Sequence, residues 1–114
     1  MNQLWAIEYF LETDEIPKWF ECLEEEAAES VYKELGLLEI FGNMLKLPHS
    51  RALGDKLFEL RERRFGYRVY YTFQGNKVII LLAAGDKSTQ ERDIKVARKR
   101  ISVLVKREVK NEIG

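Results

Sequence analysis

Residues 4–11, "LWAIEYFL", form a short apolar run rich in aromatic and β-branched side chains, and they predict a first strand. Apolar positions then recur at Ile16, Trp19, Phe20, Leu23, Ala27, Val31, Leu35 and Leu38, with acids between them. That is a helical period. Thr13 or Asp14 supplies a cap, Pro17 falls in the tolerant first turn, and Gly42-Asn43 ends the helical text. The period allows one helix or two, and a break around residues 23–26 gives a hairpin that covers a small sheet better. Residues 44–55, with Pro48 and Gly54 and no sustained period, predict a loop.

The pattern then changes to strands. "KLFELRE", "GYRVYYTF" and "KVIILLAA" follow one another, with Gln74-Gly75-Asn76 as the turn between the last two. Ser88 and Glu91 have capping-box spacing. A last helix follows, with Ile94, Ala97, Ile101, Leu104 and Val105 on one face. The expected architecture is α+β, with the helices on one face of a mainly antiparallel sheet and the other face open. A chain of 114 residues with no repeat or linker is expected to be a single domain, 1–114.

Strand alternation assigns the side chains to faces. Phe58 and Leu60 share one face, Glu59 and Arg61 the other. Tyr67, Val69, Tyr71 and Phe73 are the apolar set of the next strand, and Arg68, Tyr70 and Thr72 point oppositely. Arg61 and Arg68 are thus expected side by side on the open face. Arg63 and Arg64 fall in the turn, and Lys87 follows the third strand near the same sheet end.

Charge sharpens this picture. The net charge is zero, but residues 1–45 carry eleven acids against two lysines, and residues 46–114 carry eight acids against seventeen basic residues. Such asymmetry points the second part towards an anionic partner, unless acidic helices merely neutralise a basic sheet. Arginines interleaved with tyrosines suit single-stranded RNA, with Arg on phosphate and Tyr on an unstacked base. Ion pairs with Glu59, Glu62 or Asp86 give the same text without activity. One cysteine, Cys22, forms no internal disulfide, and a reducing cytoplasm is expected. No apolar run has membrane-span length, and the N-terminal text does not read as a secretion signal. No cofactor or metal is expected.

The text "ELRERRFGYRVYYTFQGNKVIILLAAGDKSTQERDIKVARKR", residues 59–100, with Trp5 and the Trp19–Leu23 segment, resembles HigB-type toxins of the RelE/ParE superfamily, the addiction-module killer proteins. The resemblance implies a β-α-α-β-β-β-α fold, with the first strand beside the last. It implies ribosome-dependent endonucleolytic cleavage of translated mRNA and growth arrest, blocked by a cognate antitoxin of HigA-like, helix-turn-helix type. It also implies roles for Arg61 and Arg68, which match the arginines of the "ELR" and "GYR" segments, and for Lys87.

RNA cleavage needs a deprotonated 2′-hydroxyl, a protonated leaving 5′-oxygen and stabilised charge on the phosphorane. His49 is the only histidine, so a two-histidine mechanism within one chain is excluded. Arginine and lysine electrostatics are left with most of the work. Arg61 and Arg68 are expected on the phosphate, Lys87 at the leaving oxygen, and Glu59 as base or as ion-pair partner of Arg61. Arg51, Lys56, Arg63, Arg64, Arg92 and Tyr70 complete the expected RNA- and ribosome-binding set. Two other readings share the fold: a ParE-like toxin acting on DNA gyrase without nuclease activity, and a degenerate toxin that only binds its antitoxin.

Overall fold

A computed structural model describes residues 3–113, with side chains through residue 109. The elements are β1 (Ala6–Tyr9), α1 (Glu15–Glu21), α2 (Glu25–Phe41), β2 (Ser50–Gly54), β3 (Leu57–Glu62), β4 (Tyr67–Gln74), β5 (Val78–Asp86) and α3 (Gln90–Ile113). Short 3₁₀ turns, Gly42–Met44 and Lys87–Thr89, follow α2 and precede α3. The strands form one sheet in the order β1-β5-β4-β3-β2. The pair β1–β5 is parallel and every other pair antiparallel.

The helical text divides in two, as the packing argument expects. Cys22 caps α1 in helical geometry, and Glu24 adopts an extended conformation that turns the chain before α2. Cys22 itself is exposed. Val31, Leu35 and Leu38 of α2 lie at helical spacing and are buried. Burial of each such side chain contributes about 1.5–3 kcal/mol. Gly42 stops the helix at φ 50°, and the Trp5 ring fills the place a Cβ would take.

Two expectations are corrected. The expected loop at 44–55 contains β2, which pairs with β3 through Ser50–Leu60, Arg51–Glu59 and Ala52–Phe58. Asp55 and Lys56, both at positive φ, turn the β2–β3 hairpin in the geometry that suits strand twist. Nor do the helices share one face. Ser30 of α2 donates to Glu62, while Gln90 of α3 donates to Glu59, and positions 59 and 62 point to opposite sides of β3. So α1 and α2 pack with Trp5, Phe58, Leu60, Tyr71 and Phe73, and α3 crosses the other face.

The helix α3 is anchored between Ala97 and Arg107. Ala97 and Ile101 are buried. Arg98 donates to the carbonyls of Leu53 and Gly54 at 2.9 and 3.1 Å. Arg100 donates to the Leu82 carbonyl and pairs with Glu15 of α1, each at 2.6 Å, and Arg107 pairs with Glu12. Asp86, not Ser88, provides the cap before α3. Its carboxylate accepts from the backbone of Ser88 and Thr89, and the Asp86 N–H in turn donates to the Thr89 hydroxyl oxygen. The Ser88 hydroxyl and amide hold the Asp86 carboxyl below the usual carboxylate range. No helix of the described residues is long and apolar enough to cross a membrane.

Candidate nucleic-acid interface

Arg61 and Arg68 are direct cross-strand partners in the β3–β4 register, so two guanidinium groups leave the sheet from one rung. The next rung on that face pairs Glu59 with Tyr70, and Arg51 lies opposite Glu59 on β2. The Glu59 side chain is 1% exposed. Its carboxylate receives Arg51 at 3.7 Å, Arg61 at 3.9 Å and Arg68 at 3.6 Å. Gln90, at the start of α3, donates to it at 2.9 Å. Three cations thus gather around one buried anion, which leaves a local excess of positive charge.

The distances are instructive. None of the three arginines reaches Glu59 within hydrogen-bond range, so their N–H groups are not consumed by it. The Arg68 Nε is buried and has no hydrogen-bond partner, and one terminal nitrogen of Arg68 reaches the Gly66 carbonyl at only 3.4 Å. A cavity of about 240 Å³ opens beside these groups, lined by Arg61, Glu62, Arg63, Gly66, Tyr67 and Arg68. Guanidinium groups held on one rung of the sheet and lining a small cavity suit an oxyanion.

The turn that frames the cavity is set by Glu62. This buried carboxylate accepts the N–H groups of Arg64, Phe65 and Tyr67 and the Ser30 hydroxyl. Arg63 and Arg64 are exposed there, with Arg64 pairing Glu26 of α2 at 3.3 Å. Lys87 is exposed just past β5, at the sheet end that carries Arg61 and Arg68. Arg92 is also exposed and leans on Asp93 at 3.5 Å. Lys56 is placed apart from all of these, at the opposite end of β3 from Arg63 and Arg64.

The expectation for Tyr70 is overturned. Its side chain is fully buried beneath α3 and cannot stack on a base. Burial, then the negative charges of Glu59 and Asp93, push its hydroxyl well above the ordinary tyrosine range. It stays a neutral phenol at physiological pH. His49 is used structurally: its Nδ1 lies 2.9 Å from Glu34, and its carbonyl accepts the Arg61 N–H at 2.8 Å. Sequence reasoning missed Gln90 and Asp93, which bring α3 against the cluster. The signal that could have found them is Gly85, directly opposite Arg68, where any Cβ would strike the Asp93 carboxylate and the Thr89 hydroxyl. Among the described residues no group of three or more His, Cys, Asp or Glu side chains is gathered as a metal-ligand set.

Residues 18–107 match the family described as Phage derived protein Gp49-like (DUF891). The chain belongs to this family. This Gp49-like chain is also 46% identical over 59 residues to an uncharacterised protein of Haemophilus influenzae, a stretch covering 51% of the chain and 57% of the relative. Its fold is that of the E. coli toxin RelE. A double arginine-to-alanine RelE mutant in the free state superposes with a TM-score of 0.67 at 18% identity, over 87% of this chain and 99% of RelE. The isolated RelE toxin gives 0.56 at the same identity, over 85% and 98%.

Proposed function

We propose that this Gp49-like protein is the toxin of a type II toxin–antitoxin module, a HigB-type, ribosome-dependent and metal-independent endoribonuclease that cleaves translated mRNA in the cytoplasm. The observation that carries this reading is the Arg61–Arg68 rung, whose two residues line one cavity together with Arg63. In it, Arg61 and Arg68 hold the scissile phosphate. As the 2′-hydroxyl gives its proton to solvent and its oxygen attacks phosphorus, the bond to the 5′-oxygen breaks, negative charge grows on the non-bridging oxygens, and donors already in place stabilise it without reorganising. Lys87 neutralises or protonates the leaving 5′-oxygen. Glu59, surrounded by arginines and nearly free of solvent, serves as a positioning residue for the guanidinium groups rather than as the base. The ribosome fixes the RNA for in-line attack, which is consistent with so few reactive groups on the protein. Arg51, Arg63, Arg64 and Arg92 add sequence-independent phosphate contacts. A separate HigA-like antitoxin restrains the activity.

Primer extension on translated mRNA after induction of the protein tests this reading. Cuts within ribosome-occupied codons are expected, and they should vanish when translation initiation is blocked. DNA topology defects without RNA cuts would replace this reading with the gyrase one. Neither effect, with antitoxin binding intact, would mark a degenerate toxin.

A further inference from the structure

The outer side of α2, across the sheet from Arg61 and Arg68, carries a second pattern. At 3.6 residues per turn, Glu25, Glu29, Tyr32, Gly36, Glu39 and Ile40 share one stripe, opposite the buried Val31, Leu35 and Leu38. Tyr32 is 54% and Ile40 57% exposed, although both are large and apolar. Gly36 lies between them, one turn from each, and a Cβ there would meet no atom within 4 Å. The stripe therefore has a notch with an aromatic wall and an aliphatic wall. Tyr32 stacks on Phe20 at 5.6 Å, and Phe20 contacts Tyr9 of β1, whose ring is also exposed, so the apolar surface continues onto the edge strand.

We propose that this stripe is a docking surface for a basic amphipathic helix of another protein, which inserts an aliphatic side chain at Gly36 and sets lysines or arginines against Glu25, Glu29 and Glu39. The core side of α2 is already satisfied, and Tyr32, though stacked on Phe20, keeps over half of its surface exposed, as does Ile40. The sign of the partner follows from Glu25, Glu29 and Glu39 set against the one lysine of α2, Lys33, and from the acidic surplus of residues 1–45. A helix laid along a helix, with anchors one turn apart, is a recurrent recognition mode. Arg61 and Arg68 lie on the other face of the sheet, whereas Arg63 and Arg64 of the β3–β4 turn border the Glu29 end of the stripe. The inference does not depend on the nuclease reading.

The test uses the whole chain and two synthetic helical peptides of about 18 residues, long enough to hold a helix. Both carry one leucine stripe, flanked by lysines in one and by glutamates in the other. The lysine peptide is expected to bind one to one by calorimetry, and the glutamate peptide not to bind. Gly36→Leu fills the notch in open space and at a helical position. It should weaken the lysine peptide by about tenfold or more while the melting temperature holds or rises. Equal binding of the two peptides, or undiminished binding to the Gly36→Leu variant, would each overturn the proposal. So would self-association of the chain that Gly36→Leu abolishes, because a second copy would then be the occupant.

Discussion

Arg68 is held by its neighbours more than by its own contacts. Val69 and Tyr70 beside it are buried, and its guanidinium rests against the buried Glu59 without a hydrogen bond to it. If Arg68 stabilises charge that develops on a phosphate, its loss damages the transition state more than the bound substrate. Arg68→Ala should lower mRNA cleavage by about 10²–10³-fold and abolish growth arrest, with the protein still folded and antitoxin-bound. Arg68→Lys should restore little, because an ammonium group cannot make the two-pronged contact. Arg63→Ala and Arg64→Ala, in the exposed turn, should only weaken ribosome binding. Cleavage assays with thermal melting as the folding control distinguish these outcomes.

Tyr70 provides a residue-scale prediction of another kind. Its folded-state pKa lies above the ordinary value of 10.0. Above that pH the unfolded chain loses a proton that the folded chain keeps, so the native state binds more protons and stability falls as pH rises. Melting temperature should therefore drop steeply above about pH 10, with burial of Tyr71 adding in the same direction. Tyr70→Phe should flatten that drop. At neutral pH it should cost little, since the hydroxyl it removes is buried without a partner. A variant that melts in parallel with wild type across the alkaline range would refute this. The pairing of Arg61 with Arg68 was readable from strand alternation alone. Burial of Tyr70 was not, because alternation gives the face of a side chain and not what covers that face.

At the scale of elements, most of the order could be read because apolar period and turn residues agree: the first strand, the broken helical hairpin, the last three strands and the final helix. The strand β2 escaped because "SRALG" offers one half-buried leucine and two exposed positions around it, with no alternation. Its hairpin turn uses Asp55 and Lys56 in place of the usual glycine. The missed strand matters for the site, since it delivers Arg51 to Glu59. The junction of β5 and α3 rests on Gly85, whose missing side chain leaves room for Asp93 and Thr89. Gly85→Ala should force the start of α3 away from the sheet. We expect a loss of about 1–3 kcal/mol in denaturant unfolding and weaker RNA cleavage, because Gln90 moves with the helix. Full stability in that variant would show that α3 does not depend on the close approach.

For the molecule as a whole, an acidic helical layer and an arginine-rich sheet face point away from each other, and the net charge of zero conceals both. Binding to a polyuridine strand should therefore weaken steeply with salt, with a log–log slope of roughly −0.7 per phosphate contacted. Arg63→Ala should remove about one such increment. Affinity indifferent to salt would contradict a phosphate-reading surface. The charge asymmetry was plain in the sequence. Its spatial separation was not, because α3 is basic yet packs across the arginine face, while Arg100 and Arg107 cross to Glu15 and Glu12.

The parallel pairing of β1 with β5 joins the beginning of the described chain to a segment near its end, Ala6 beside Val78 and Tyr9 beside Leu81. A nascent chain emerging from its own ribosome would hold β1 without a partner while both helices and three further strands were made. The sheet closes only when β5 is available, and loop-closure entropy must be met before that contact stabilises anything. Synthesis therefore imposes an interval in which every other strand is present and the molecule is still open at one edge.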